Sequence, residues 1–319
     1  MRKYIMLFIL ILFITSAGAL VVANPLTKRS SNNNADIRII DRNKTNQPIQ
    51  LEANIPYKKI EKKQLAIHLL IPKNTKKELP LIIFIKGSSW GKYQPQDTYQ
   101  FIPQLVKLAE RGYIVASIEH RTSHEAKFPA QLEDVRSAVV FLKEYAHKYN
   151  INPNAIGLWG TSSGAHLSAL LATSCQSKEF VVKGKPSSDT CVQAVVDWYG
   201  PTDFLQMTKA SQSYNAEHPK SAESLLIGGP ILEHKELVKK ANPITYVTPD
   251  APPFLIMHGD KDERVPFHQS ELLYNALKRK NADVTLYRVK GGGHGTTSFL
   301  SQEILETVYQ FFDEHLKSK

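Results

Sequence analysis

From about residue 64 onward, the apolar positions of the chain fall into two alternating patterns. Short, nearly continuous apolar runs occur at residues 65–71, 81–85, 113–118, 155–159, 192–198, 254–258 and 284–289. Between them, longer stretches at about 99–111, 130–148, 163–173, 268–280 and 297–316 carry helical character. The run Leu81-Ile82-Ile83-Phe84-Ile85 offers no polar face, as a strand covered on both sides requires. Strands that alternate with such helices need crossover connections, so the predicted class is α/β, a mostly parallel central sheet with helices on both faces. Residues from about 175 to 250 break the alternation and are expected to form a small partial cover over the site.

The chain ahead of this pattern reads differently. Arg2 and Lys3 are followed by an almost wholly apolar stretch from residue 4 to 14 and then by Thr15-Ser16-Ala17-Gly18-Ala19. A short positive start, an apolar segment and small residues near its end describe a secretory signal, with Ala17 and Ala19, or Val21 and Ala23, as cleavage positions. An uncleaved anchor is the alternative reading, because about 20 apolar residues span a bilayer and residues 4–23 are that long. Residues 24–55, rich in Asn, Thr, Lys and Arg, read as a basic polar linker, and residues 56–319 as one domain. A secreted or periplasmic location follows, or a catalytic domain held outside the cytoplasm by residues 4–23.

Charge changes the picture only through its distribution. The formal net charge is +10. Residues 24–79 hold 12 basic and 5 acidic side chains, whereas residues 80–319 hold 26 and 25. The body of the chain is therefore nearly neutral, and a basic nucleic-acid-binding domain is excluded. The two cysteines, Cys175 and Cys191, stand 16 positions apart in a polar stretch. In an oxidising compartment they are expected to form a disulfide, restricting the unfolded chain by on the order of 3 kcal/mol. Two cysteines without nearby paired histidines do not complete a zinc shell.

The strongest chemical signal is Gly160-Thr161-Ser162-Ser163-Gly164, which follows an apolar strand and opens a helix of small and apolar residues. A strand-to-helix turn this sharp needs glycine at its flanks and pushes the central serine out at the sheet's carboxyl edge. Ser162 is thus the candidate nucleophile. A serine hydroxyl needs a base to take its proton and a third group to orient that base, and in this arrangement the acid and then the histidine follow in the chain. His294 stands in Gly291-Gly292-Gly293-His294-Gly295, just past a strand end. His120, His124, His166 and His258 lack this combination of order and setting. Three acids, Asp260, Asp262 and Glu263, lie in the turn after the strand ending near His258. An oxyanion needs backbone N–H donors. Ser163, directly after the nucleophile, is expected to supply one, and Gly87 and Ser88, in the loop after the run 81–85, the others.

These residues resemble the esterase/lipase branch of the α/β-hydrolase superfamily, near its hormone-sensitive-lipase-like and BD-FAE-like members. The resemblance runs from about residue 64 to 316. Beyond the elbow it rests on Phe128–Arg136, on Val192–Asp203, and on His258-Gly259 through Asp262 to Val265-Pro266. The last pattern places the family's acid on Asp262. Many relatives carry His-Gly-Gly-Gly where this chain has Lys86-Gly87-Ser88-Ser89, and two glycines where it has Gly164-Ala165. The resemblance implies an α/β-hydrolase fold and a serine carboxylic-ester hydrolase with Ser162, His294 and Asp262 as its triad. It implies no metal or organic cofactor. The implied substrate is a short-chain acyl ester, a small molecule or an acetylated or feruloylated carbohydrate, with no nucleic acid and no membrane contact beyond the anchor reading. A serine exopeptidase shares this residue order, but too few residues separate the leader from the first run for a propeller. A catalytically inactive binding module of the same fold would be favoured by loss of the serine, acid or histidine, and none is missing.

Overall fold

The computed structural model describes residues 48–73, 75–92, 99–210, 213–295 and 297–317. Its strands are β1 (Ile49–Ile60), β2 (Lys63–Pro72), β3 (Leu79–Ile85), β4 (Ile114–Ile118), β5 (Ile151–Thr161), β6 (Ala194–Trp198), β7 (Phe254–Gly259) and β8 (Val284–Val289). The helices are α1 (Ile102–Glu110), α2 (Ala130–Glu144), α3 (Ser163–Ser174), α4 (Phe204–Ala210), α5 (Ala222–Ile227), α6 (Lys235–Ala241), α7 (His268–Arg279) and α8 (Gln302–Leu316), with a single extra turn at Ala146–Tyr149. One sheet holds all eight strands in the order β1-β2-β4-β3-β5-β6-β7-β8. The β1/β2 and β2/β4 pairs are antiparallel, and every pair from β4 to β8 is parallel.

The continuously apolar strand divides its side chains between two layers. Leu81, Ile83 and Ile85 pack with Leu132 and Val135 of α2 and Leu167 and Leu170 of α3. Ile82 and Phe84 pack on the opposite face with Leu105 of α1 and Phe312 of α8. Successive side chains of a strand point to opposite faces, so a run without polar residues is what a sheet covered on both sides selects. All twelve residues of α3 are buried, which explains why it shows no polar stripe. Gly157 in β5 lets α8 approach, since a Cβ there would stand 2.8 Å from Phe312.

The segment read as a linker to residue 55 ends earlier, because β1 already occupies residues 49–55. This edge strand is held by backbone pairing to β2 and leaves most side chains at least partly exposed, Leu51 at 62%. It therefore has no need of the apolar periodicity that marks the other strands. The leader at 1–23, its anchor alternative and the linker up to residue 47 lie outside the described residues. Among the described residues no helix is long and apolar enough to cross a membrane.

Residues 175–250 hold β6 and the short helices α4, α5 and α6, whose six or seven residues are too brief for a clear helical period. Cys175 and Cys191 are joined by a disulfide, closing a loop between α3 and β6. The buried Arg136 of α2 ties down this loop by donating to Phe180 O at 2.6 Å and to Ser174 Oγ at 3.0 Å. Because the central strands are parallel, the loops after β3, β5, β7 and β8 emerge on one edge of the sheet. Those four loops carry most of the site, and Tyr199 directly after β6 and Phe101 ahead of α1 complete its wall.

Candidate active site

The turn between β5 and α3 is set by close backbone approach. Ser162 has φ 52° and ψ −123°, an unusual conformation for a residue with a side chain. Its N–H donates to Trp198 O of β6 at 2.8 Å, and its carbonyl accepts the His166 N–H at 3.0 Å, so strand and helix both hold it. A Cβ on Gly160 would lie 2.4 Å from Ala165 Cα, and one on Gly164 would lie 1.9 Å from Ile85 O. Neither position can carry a side chain without moving backbone. Gly164→Ala is accordingly expected to cost about 3 kcal/mol or more. Thermal unfolding followed by circular dichroism should read this as a melting temperature about 6–12 °C lower.

Ser162 Oγ lies 2.9 Å from His294 Nε2, and His294 Nδ1 lies 2.7 Å from Asp262 Oδ2. The histidine loop fits closely on the end of β7. A Cβ on Gly259 would meet Gly292 O at 2.2 Å, and Gly292 O accepts the Lys261 N–H at 2.8 Å. Of the three acids in the turn, Asp262 contacts His294. Asp260 instead accepts the Gly291 N–H at 2.7 Å and so braces the histidine loop. Asp262 Oδ1 accepts the N–H groups of Arg264 at 2.9 Å and Val265 at 2.8 Å, and its side chain is wholly buried. Burial alone would push this carboxyl up, but hydrogen bonds from His258 and His294 and their charge hold it well below the usual carboxylate range.

His258 is a second imidazole on the same acid, missed by sequence reasoning except as a structural residue. Its Nε2 lies 2.8 Å from Val265 O and 3.2 Å from Asp262 Oδ2. Both neighbours are acceptors, so this nitrogen carries the proton. Tyr199, with φ 47°, stacks edge-on to His294 with ring centroids 4.9 Å apart and is the contribution of residues 175–250 to the cavity wall. Burial, then the neighbouring Asp262 charge, raises its phenol well above the ordinary range.

The N–H groups of the loop after β3 are used differently from the sequence expectation. Gly87 N–H donates to Thr161 Oγ1 at 2.9 Å, and Ser88 N–H donates to Ser163 Oγ at 2.9 Å. Both are committed to holding the loop against the elbow and do not point a free donor at a substrate. Gly87 is glycine for a steric reason, because a Cβ there would lie 2.7 Å from Ser162 Cβ. Beyond it, Gly91 N–H closes a turn on Ser88 O at 3.0 Å, with positive φ at both central residues, Ser89 at 55° and Trp90 at 54°. Among the described residues the Ser89 N–H has no hydrogen-bond partner, and Ser163 N–H belongs to the first turn of α3, whose N–H groups have none within the helix. A cavity of about 200 Å³ opens over Ser162, lined among others by Ser89, Phe101, Tyr199, Arg264 and His294. Among the described residues no group of three or more His, Cys, Asp or Glu side chains is arranged to hold a metal.

Behind the site, Asp197 of β6 is 2% exposed and accepts the Gly200 N–H at 2.9 Å. Burial is the main cause that pushes its carboxyl up to about 6 from the ordinary 3.8, against the Gly200 hydrogen bond and His258. A raised folded-state value means that its contribution to stability is present below the unfolded value and is lost as pH rises through about 6. Relative to Asp197→Asn, the wild type is expected to lose about 2 kcal/mol of unfolding free energy between pH 4 and pH 8. Urea titrations of both proteins across that range would measure the difference.

The BD-FAE family model matches residues 67–277, a span that contains Ser162 and Asp262 and stops 17 positions short of His294. Esterase LipQ of Mycobacterium tuberculosis is 33% identical over 218 residues, covering 67% of this chain and 49% of LipQ. Esterase LipC of the same organism is 30% identical over 220 residues, covering 69% of this chain and 53% of LipC. The chain thus spans about half the length of the curated relatives it matches. Among solved structures, a truncated carbohydrate esterase from gut microbiota is 33% identical with a TM-score of 0.73, covering 84% of this chain and 97% of that one.

Proposed function

The chain belongs to the BD-FAE family, and on that footing we propose that it is an exported serine carboxylic-ester hydrolase acting on short-chain acyl esters, with acetylated or feruloylated carbohydrate as its substrate class. The observation that carries this reading is the continuous hydrogen-bonded series from Ser162 Oγ through His294 to the buried Asp262.

In this reaction His294 Nε2 takes the Ser162 hydroxyl proton while Oγ attacks the ester carbonyl carbon. The developing oxyanion is held by the N–H groups of Ser163 and Ser89, the first assisted by the positive end of α3. Asp262 keeps the proton of His294 on Nδ1 and stabilises the imidazolium. Collapse of the tetrahedral adduct breaks the bond to the alcohol, which leaves with the proton from Nε2. Water, deprotonated by the same nitrogen, then attacks the acyl-enzyme and releases the acid and Ser162. The cavity volume supports a small acyl group, since about 200 Å³ is below the ~300–1,000 Å³ of pockets that enclose drug-sized ligands. The carbohydrate reading is supported by likeness to the gut-microbiota carbohydrate esterase. Export is supported by the positive, apolar and small-residue order of the leader, with anchoring by residues 4–23 as the other way to hold the domain outside the cytoplasm.

Hydrolysis of 4-nitrophenyl acetate, butyrate and palmitate, together with acetate and ferulate release from acetylated and feruloylated xylan, tests the proposal. Acetate and butyrate are expected to be cleaved at least tenfold faster than palmitate. Failure to cleave any ester would remove the hydrolase reading, and cleavage of a dipeptide amide instead would favour the exopeptidase.

A further inference from the structure

The turn that carries the Ser89 N–H places two consecutive residues with side chains at positive φ, Ser89 at 55° and Trp90 at 54°. Such a conformation persists only where its surroundings over-determine it. The strongest restraint comes from inside the protein. The Trp90 indole is 1% exposed, and its Nε1–H donates to His166 Nδ1 at 3.2 Å. The two rings meet edge to face at 5.1 Å, and Phe204 closes on both, 5.4 Å from Trp90 and 5.2 Å from His166. His166 stands one helical turn below Ser162 on α3, and its N–H closes that turn on Ser162 O. The remaining ring nitrogen, Nε2, lies 2.8 Å from Ala241 O, the last carbonyl of α6.

These contacts fix the chemistry of the imidazole. An indole N–H can only donate, so Nδ1 must be the acceptor, and a carbonyl can only accept, so Nε2 must carry the proton. Burial holds the ring's pKa down to about 4, so it stays neutral in the working range. From this geometry we propose that His166 is a positioning residue for ester hydrolysis. It fixes the Ser89–Trp90 turn relative to the first turn of α3, so that the Ser89 and Ser163 N–H groups converge on one oxyanion. The inference rests on the reading of Ser162 as the ester nucleophile. It goes beyond that reading by assigning the spacing of the oxyanion donors to a buried side chain that touches no substrate.

The donors matter most when charge develops, so loosening the turn lowers kcat and leaves KM nearly unchanged. Trp90→Phe, which removes the indole donor together with the ring that carries it, and His166→Phe are each expected to lower kcat on 4-nitrophenyl acetate about 10- to 100-fold, with KM within about threefold. Rates are to be normalised to active sites titrated with a phosphonate ester, so that loss of folded protein does not count as loss of rate. Because both variants break one contact, the double variant should be no slower than the slower single one. His166→Asn puts an acceptor where Nδ1 stood and drops the bond to Ala241, and it should recover kcat to within about threefold of wild type. Backbone hydrogen exchange over residues 88–90 should be faster in Trp90→Phe and near wild type in His166→Asn.

A Trp90→Phe enzyme with wild-type kcat, additive losses in the double variant, or a His166→Asn enzyme as slow as His166→Phe would overturn the assignment. If His166→Phe does not fold, Trp90→Phe and His166→Asn decide the question between them. Should the wild type cleave no ester, the hydrolase proposal fails alone, and exchange over residues 88–90 still shows whether His166 holds the turn.

Discussion

Ser162→Ala is expected to lower kcat/KM on 4-nitrophenyl acetate on the order of 10⁵- to 10⁶-fold while the fold persists. The replacement removes one oxygen and its 2.9 Å contact with His294 Nε2, a net contribution to stability of about 1 kcal/mol. Alanine meets the same backbone demand as serine at φ 52°, so strain in the turn is neither relieved nor increased. The melting temperature should therefore stay within about 4 °C of wild type. On the proposed mechanism the atom lost is the one that forms the acyl bond, and the residual rate comes from binding and the oxyanion donors alone. Stopped hydrolysis with an intact circular dichroism spectrum is the expected pair of results. A variant that keeps a hundredth of the wild-type rate would exclude Ser162 as the nucleophile.

Ser162 could be found in the sequence because its turn has steric requirements that only glycine meets. Gly160 and Gly164 stand where a Cβ would collide with Ala165 and with Ile85 O, and these demands act within a few residues of each other. Chain order and parallel strands then place His294 and the acids on the same edge as the serine. The loop after β3 was less legible. Its positive φ angles fall on Ser89 and Trp90 and not on a glycine, so composition gives no sign of them. The partners that occupy the Gly87 and Ser88 N–H groups, Thr161 and Ser163, lie 74 and 75 positions away, and Trp90 and His166 are 76 apart. Hydrogen bonds at such separations follow from packing, which local patterns do not encode. The same reason hides β1, whose hold on the sheet is made by backbone groups common to every sequence.

The surroundings of the acid make the outcome of Asp262→Asn specific. Oδ1 of Asp262 accepts two backbone N–H groups, from Arg264 and Val265. An asparagine must keep its carbonyl oxygen at that position, because turning it would set an NH₂ group against two donors. Its NH₂ group then faces His294 Nδ1 and the proton on His258 Nε2, where Asp262 Oδ2 now lies 2.7 Å and 3.2 Å away. His294 can pair with an amide donor only by using Nδ1 as an acceptor, which moves its proton to Nε2. In that tautomer the ring cannot take the Ser162 proton. The expected loss in kcat is on the order of 10⁴-fold, with KM little changed. The His258 proton set against the new NH₂ group adds a stability loss of about 1–3 kcal/mol, separable by urea titration of the same protein. Asp262→Ala removes the misplaced donor and leaves space at His294, so it should be less inactive than the isosteric asparagine. An asparagine variant more active than the alanine variant would show that the tautomer of His294 is not what Asp262 controls.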